Sequence, residues 1–292
     1  MASPEPTVLP PNRLRSGLPR LFGVHAVPRG ALRPALILLP FVLGVVLYLL
    51  ASHARHLDNP NDKLLPTVAQ MANTVDRMAF TEDARTGTHL MLQDTLASLQ
   101  RLAMGVSLAA TVALLVGLNM GMFPGLRELS SSFVTFISMI PPLAILPILF
   151  ITFGVDELAK VMLIFIGLFP VLTRDIFLAV RRIPREQITK ALTLGATHLS
   201  LTYRIVLPQV LPRLIEALRL SLGAAWLFLI AAEAIAATDG LGYRIFLVRR
   251  YLAMDVILPY VLWITLLGYL IDLGLRVLLK KVFPWYVVGE KA

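Results

Sequence analysis

The stretch Arg181–Arg213, RRIPREQITKALTLGATHLSLTYRIVLPQVLPR, lies between two long apolar runs and decides how the chain is read. It is too polar for hydrocarbon, yet its pattern is helical. Pro184 suits the first turn of a helix, where its missing N–H costs nothing. Ile188, Ala191, Leu192, Ala196 and Leu199 then fall on one face, with Glu186, Gln187 and Lys190 on the other. Gly195 interrupts that helix at a cost of roughly 1 kcal/mol against alanine. It permits a sharp change of direction or the close approach of a partner. Pro208 and Pro212 limit the backbone beyond it. We expect a short helix, a glycine bend, a second short helix and a proline stop. On geometry alone this is either a connector lying in a membrane interface or a surface read from the aqueous side.

The surroundings of this loop are those of a membrane protein. Apolar residues make up 57% of 292 positions, with a mean hydropathy of +0.75. Six runs approach the ~20 helical residues needed to cross ~30 Å of hydrocarbon. They are Leu32–Ala51, Leu96–Leu118, Ser132–Phe153, Leu158–Val180, Ile215–Ala237 and Val256–Leu279. Arginines precede the first run as in a signal peptide, but the run is too long and no small-x-small site follows, so we read it as a retained anchor. The chain then divides into a disordered tail (1–31), a first span (32–51), an extracytoplasmic segment (52–90), a five-span core (91–282) holding the loop 181–213, and a second tail (283–292).

The net charge of +9 sits in the connections between apolar runs and not in a soluble module. It is a topology signal and argues against nucleic acid as a partner. The basic bias of both tails, of Arg127 and of the Arg181–Arg213 loop puts all of them in the cytoplasm. Between the first two spans, Asn59-Pro60-Asn61-Asp62 marks a turn. Leu65, Val68, Ala69, Ala72, Val75, Met78 and Ala79 follow at helical spacing, an amphipathic helix lying on the membrane or on the bundle.

Chemistry-bearing signals are sparse. Without cysteine there is neither disulfide nor thiolate metal site. His53 and His56 near Asp58 read as a solvated loop, so neither metal nor cofactor is expected. No G-x-x-x-x-G-K-[S/T] loop is present for ATP, and no H-E-x-x-H or G-x-S-x-G for catalysis. Pro141, Pro142 and Pro147 break the third span, which is tolerated where backbone lines a cavity. Glu233, near the outer end of the fifth span, either gates that path or pairs with a basic residue. Asp272, four residues before Arg276, reads as half of a helical ion pair, and Arg174 and Asp175 both read as interfacial. Gly117, Gly121 and Gly125 are spaced by four; turn chemistry beside Pro124 is the expected cause, a close helix crossing the alternative. Trp226, Trp263, Trp285 and Tyr286 include plausible interface anchors. No long internal repeat supports an inverted-repeat transporter.

The spacing inside the loop carries a resemblance. Gly195, nine residues, Ile205, one residue, then Leu207-Pro208 is similar to the EAA motif of binding-protein-dependent ABC importer permeases. That motif's Glu-Ala-Ala triplet falls here on Thr189, Lys190 and Ala191, so only the last alanine matches. Thr95-Leu96-Ala97-Ser98-Leu99 resembles the family's opening. Ile140-Pro141-Pro142-Leu143-Ala144-Ile145-Leu146-Pro147 resembles the proline-rich stretch of its nitrate/sulfonate/taurine branch. Ala231-Ala232-Glu233 followed by Asp239-Gly240-Leu241-Gly242-Tyr243 does too.

The resemblance covers about Asp94 to Leu279 and implies an all-α type I ABC importer transmembrane domain. It also implies a coupling loop, with Thr189, Lys190, Ala191, Gly195, Ala196, Thr197, Ile205, Leu207 and Pro208 docking on an ATPase. Two ATPase subunits, a second permease copy and an extracytoplasmic solute-binding protein are the implied partners in an inner membrane. The implied solute is small and polar, such as nitrate, sulfonate, taurine or bicarbonate. The segment Asn59–Pro66 also resembles permeases encoded beside urea- or guanidine-degrading enzymes. Against this stand two rivals: a secondary transporter or channel working without an ATPase, and a membrane enzyme or scaffold.

Overall fold

The computed structural model describes residues 32–60, 62–83 and 87–289. The 1–31 tail and its expected disorder lie outside them. All regular structure among the described residues is helical. In order these are α1 (Leu32–Asp58), α2 (Val68–Ala79), α3 (Leu90–Met122), α4 (Pro124–Ser138), a 3₁₀ turn (Pro142–Ile145), α5 (Leu146–Phe153), α6 (Glu157–Arg181), α7 (Arg185–Thr193), α8 (His198–Ser200), a π turn (Leu201–Val206), α9 (Leu207–Ala236), α10 (Leu241–Arg249), α11 (Met254–Val282) and α12 (Pro284–Gly289). Five continuous helices are long and apolar enough to span a bilayer, and a sixth candidate is a bent pair. α1 belongs to one unit, residues 1–61, and the remaining helices to a second. By itself, α1 is a helix exposing apolar side chains almost all round, as a lipid-facing span does.

Within the second unit, α3 and α6 lie parallel at very short range. Gly105, Ala109, Ala113, Gly117 and Gly121 recur every four residues and form one stripe along α3. A Cβ at Gly105 would sit 2.7 Å from Ile164 Cβ, one at Gly117 2.7 Å from the Thr173 carbonyl oxygen, and one at Gly121 2.6 Å from Val180 Cβ. Without a hydrophobic driving force between helices in lipid, such small-residue stripes let backbones approach and gain dispersion contacts. Gly117 and Gly121 therefore belong to a helix crossing, and turn chemistry explains Gly125 alone, where a Cβ would meet nothing within 4 Å. The other side of α6 receives α9, with Gly167 directly under the Phe228 ring. Leu163, Ile164, Leu168, Leu172 and Ile176 are consequently sealed between α3 and α9.

The third run does not span straight. α4 ends at Ser138, α5 starts at Leu146, and the two axes bend by 84°. Two adjacent prolines remove two donors and push the residue before each out of the helical region. Pro141 is accordingly extended, with φ −64° and ψ 118°. Pro147 breaks nothing, because it occupies the first turn of α5.

The fifth run also differs from expectation. α8, the π turn and α9 form one continuous 39-residue helix from His198 to Ala236, and Pro208 and Pro212 lie in it. The wider π turn just before Pro208 shifts the hydrogen-bond register and so absorbs the prolines.

α2 forms as expected, with a Thr67/Gln70 capping box. Its inward face is Thr74 and Met78, not Val68, Ala69 and Ala72, and Thr74 donates to Asp255 of α11 at 2.9 Å. Trp226 is a core residue and not an interface anchor.

The stripe gives a prediction of sign. Alanine for glycine within a helix is ordinarily favourable by about 1 kcal/mol. Gly274→Ala in α11, where a Cβ meets nothing within 4 Å, should raise or preserve the melting temperature in detergent. Gly117→Ala should lower it, because overpacking costs about 1–3 kcal/mol. Equal shifts for the two would contradict the close crossing.

Candidate functional site

Two polar constructions occupy opposite ends of the α3–α6 pair. One is the Arg181–Arg213 loop. α7 contains no buried residue, so the apolar positions of this helix are not spent on the chain's own core. Leu194 is 88% exposed and Leu199 64%. Thr189 and Lys190 are exposed, and Ala191 and Ala196 half-buried. α7 stops at Gly195 by a specific mechanism. The Gly195 N–H donates to the Leu192 carbonyl at 3.0 Å and the Ala196 N–H to the Ala191 carbonyl at 3.0 Å. This is a Schellman ending, which needs a left-handed residue, and Gly195 has φ +86°. Two residues on, the Thr197 hydroxyl accepts from the Ser200 N–H at 3.2 Å and caps the next helix.

The stem of the loop is fixed. Leu118 of α3, Ile176 and Val180 of α6, Val206 of the π turn and Val210 and Leu214 of α9 form one buried cluster. Ile205 and Leu207 flank it half-buried, while Pro208 stays exposed. A rigid stem thus carries an exposed head. The sequence-derived residues of the loop fall on both parts: Thr189 to Thr197 on the head, Ile205 to Pro208 on the stem.

The other construction is a buried polar cluster. Asp94, Ser98 and Arg101 lie on one face of α3 at i, i+4 and i+7 and turn toward α6, α9 and the turn after α9. The Arg101 guanidinium donates to Glu157, to Glu233 at 2.8 Å, and to the Asp239 carboxylate and carbonyl. Lys160 adds a bond to Glu157 at 2.8 Å. The fully buried Glu233 carboxylate also accepts from the Ser98 hydroxyl at 2.7 Å and from the Gly242 N–H at 2.8 Å. In turn the Ser98 oxygen accepts from the Leu241 N–H at 2.8 Å, and Asp94 accepts from the Gly240 N–H at 3.0 Å.

Three successive backbone donors at the start of α10, which a helix cannot satisfy internally, are therefore each captured by a side chain of α3 or α9. Asp94 also accepts from Arg244 at 2.8 Å and from the Tyr260 hydroxyl at 3.1 Å. Burial disfavours the Arg244 charge, but the hydrogen bonds and charge of Asp94 prevail and hold its pKa above the ordinary arginine value.

This geometry accounts for Asp239-Gly240-Leu241-Gly242. Gly240 has φ +113°, and a Cβ there would lie 2.5 Å from Glu233 Oε1; at Gly242 it would lie 2.8 Å from the Ile230 carbonyl oxygen. Glu233 is thus held by a basic residue, Arg101, and has no exposed surface. The prolines of the third run stand apart from it: Pro141 and Pro147 are exposed and Pro142 half-buried on the bent segment. Asp272 pairs with Arg276 at 2.6 Å as the spacing suggests, and also with Arg219 of α9 at 2.8 Å.

Sequence reasoning missed Asp94, Arg101, Glu157, Lys160, Arg244 and Tyr260 as partners of Glu233 and its turn. The available signal was the Asp94/Ser98/Arg101 spacing on an otherwise apolar helix. No group of three or more metal-ligating side chains occurs among the described residues.

Removing Arg101 leaves the fully buried Glu233 carboxylate without its cation, which costs about 3–5 kcal/mol in comparable sites. Glu233→Gln keeps the shape and part of the hydrogen bonding and should cost less, about 1–3 kcal/mol. Melting in detergent should rank wild type above Glu233→Gln above Arg101→Met. An unshifted Arg101→Met would refute the network.

Comparison with known proteins places this architecture. Residues 105–284 match the family of binding-protein-dependent transport system inner membrane components. The taurine transport system permease protein TauC of Escherichia coli is 34% identical over 194 residues, covering 66% of this chain and 70% of that protein. The bicarbonate transport system permease protein CmpB of Synechocystis is 32% identical over 192 residues, covering 65% and 68%. In fold, the chain resembles a solved structure of the MetNI methionine ABC transporter in an inward-facing conformation. That likeness has a TM-score of 0.59 at 21% identity, over 66% of this chain and 96% of that one. The polytopic helical fold and these matches lead to one conclusion: this chain belongs to the binding-protein-dependent transport system inner membrane components, the permeases of ABC importers.

Proposed function

We propose that the chain carries a small anionic or zwitterionic solute, of the sulfonate, taurine or bicarbonate kind, into the cytoplasm at the expense of ATP hydrolysed by separate subunits. The names of TauC and CmpB support this solute class over a urea- or guanidine-like one. Two copies of the chain form the pathway, two ATPase subunits dock on the Arg181–Arg213 loops, and an extracytoplasmic binding protein delivers the solute. Both termini and the loop face the cytoplasm, following the arginine and lysine bias.

The observation that carries the proposal is the exposed head on a fixed stem. Leu194 and Leu199 present apolar surface at the tip of a polar loop, and such surface is ordinarily covered by a partner. ATP binding closes the ATPase pair and draws the two heads together. The cluster of Leu118, Ile176, Val180, Val206, Val210 and Leu214 passes that displacement to α3, α6 and α9 as a body. The Schellman turn at Gly195 fixes the angle between head and stem. Thr189 and Lys190 stand where the family has glutamate and alanine, so the head meets its ATPase through a hydroxyl and an ammonium. The 52–90 segment, with α2 against α11, lies on the extracytoplasmic side. Pro141, Pro142 and Pro147 border the path where the third run bends.

Leu194→Asp should leave the melting temperature of the isolated permease unchanged, because the side chain touches nothing internal, yet abolish co-purification of the ATPase. Retention of the ATPase would exclude this docking face. Gly195→Val forces a β-branched residue to positive φ, at a cost of about 1–2 kcal/mol, and should uncouple ATP hydrolysis from uptake in proteoliposomes. Normal coupled uptake by this variant would count against the turn's role.

A further inference from the structure

A cavity of about 510 Å³ opens between α4 and α6, on the half of the bundle nearer the Arg181–Arg213 loop. Ser131, Thr135 and Ser138 of α4 line one wall, and Pro170, Arg174 and Asp175 of α6 the other. Arg174 lies seven residues before the end of α6, about 10 Å inside that end at 1.5 Å per residue. Ser131 and Ser138 lie about 10 and 21 Å along α4 from the same end. Ser138 is the last residue of α4, so the hydroxyl row leads from the loop side up to the 84° bend.

Val134, Val171, Phe177 and Leu178 also line the groove, so it is the two ionisable side chains, Arg174 and Asp175, that set it apart from a lipid-facing one. Ionisable side chains at such depth face a bundle interior or water. Arg174 makes no ion pair among the described residues, whereas Asp175 lies in the field of the Arg213 charge and the intramembrane acids Asp272 and Glu216 are both paired. The Thr135 and Ser138 hydroxyls donate to the carbonyls of Ser131 and Thr135, at 2.8 and 2.6 Å. Hydroxyls rotate to suit their partners and can donate to a ligand instead. An uncommitted guanidinium opposite a row of hydroxyls is a set of convergent donors for an oxyanion.

We propose that this groove is an aqueous transit site for a small solute bearing a sulfonate or carboxylate, held by Arg174 and the α4 hydroxyls on its way from the bend to the loop side. The ligand class rests on the proposed function; the aqueous, anion-attracting character of the groove does not. From the sequence alone Arg174 and Asp175 both read as interfacial, and the cavity gives Arg174 this further role.

The chain has no cysteine, so single cysteines can be probed in membranes without background. In inside-out vesicles, Ser138→Cys and Ser131→Cys should react with a sulfonate-bearing methanethiosulfonate faster than with its trimethylammonium counterpart, each rate taken relative to a free thiol. Adding Arg174→Gln should abolish or reverse that preference. Phe133→Cys, on the other face of α4 and exposed, should stay unreactive. A groove cysteine as inert as Phe133→Cys, or a preference indifferent to Arg174, would overturn the proposal. In proteoliposomes holding the permease, its ATPase and the binding protein, Arg174→Gln should raise the KM for taurine about tenfold, equivalent to about 1.4 kcal/mol, with Arg174→Lys restoring most of it. An unchanged KM overturns the site's role in transport. Absence of uptake of taurine, an alkanesulfonate and bicarbonate alike by the unmodified transporter overturns the ligand class, while the labelling result still decides the groove's character.

Discussion

The backbone of α3 meets the backbone of α6 because five small residues, Gly105 to Gly121, occupy every fourth position of α3. Closeness of this kind is what a membrane helix pair has in place of a hydrophobic driving force. α6 is held on its other side by the Phe228 ring against Gly167, so three helices become one body. Every other functional feature is placed by that body. The polar face of α3 is carried to one end of it, the apolar stem of the loop to the other, and the α4–α6 groove runs alongside.

The two ends solve opposite problems. At one, three backbone donors at the start of α10 and several ionised side chains are buried, and each finds a partner on α3, α6, α9 or α11. Such an arrangement tolerates little substitution, since a half-satisfied buried network is worse than none. It fastens the turn Asp239–Gly242 onto the helices and leaves Glu233 unexposed. At the opposite end, α7 buries nothing and leaves its apolar residues open to the proposed ATPase partner. Rigidity where the chain closes on itself and exposure at the proposed docking face are both what the proposed coupling role requires.

Much of this was legible from sequence because long apolar runs and loop charges report spans directly. Pro184 and Gly195 marked the limits of α7, since missing donors and positive φ each demand a particular residue. Other features were hidden for physical reasons. Arg101 and Asp94 are two isolated charges in an otherwise apolar helix, and the partners of Arg101 are 56, 132 and 138 residues away. Gly117 and Gly121 sit beside a genuine turn at Pro124, so local chemistry offered a competing cause, while Ala109 and Ala113 are too common to signal a stripe. Pro208 and Pro212 suggested a helix stop, but a π turn accommodates them. Pro141-Pro142 predicted a break, though not that the run would bend by 84°.

In the proposed coupling, a rigid three-helix body converts motion of the Arg181–Arg213 loops into motion of the permease. The cysteine-free background allows a spin label at Thr189→Cys in each of two permease copies assembled with their ATPase. The distance between the labels should shorten when ATP is trapped at the ATPase and lengthen again after hydrolysis. A separation that stays the same through the ATP cycle would contradict the account.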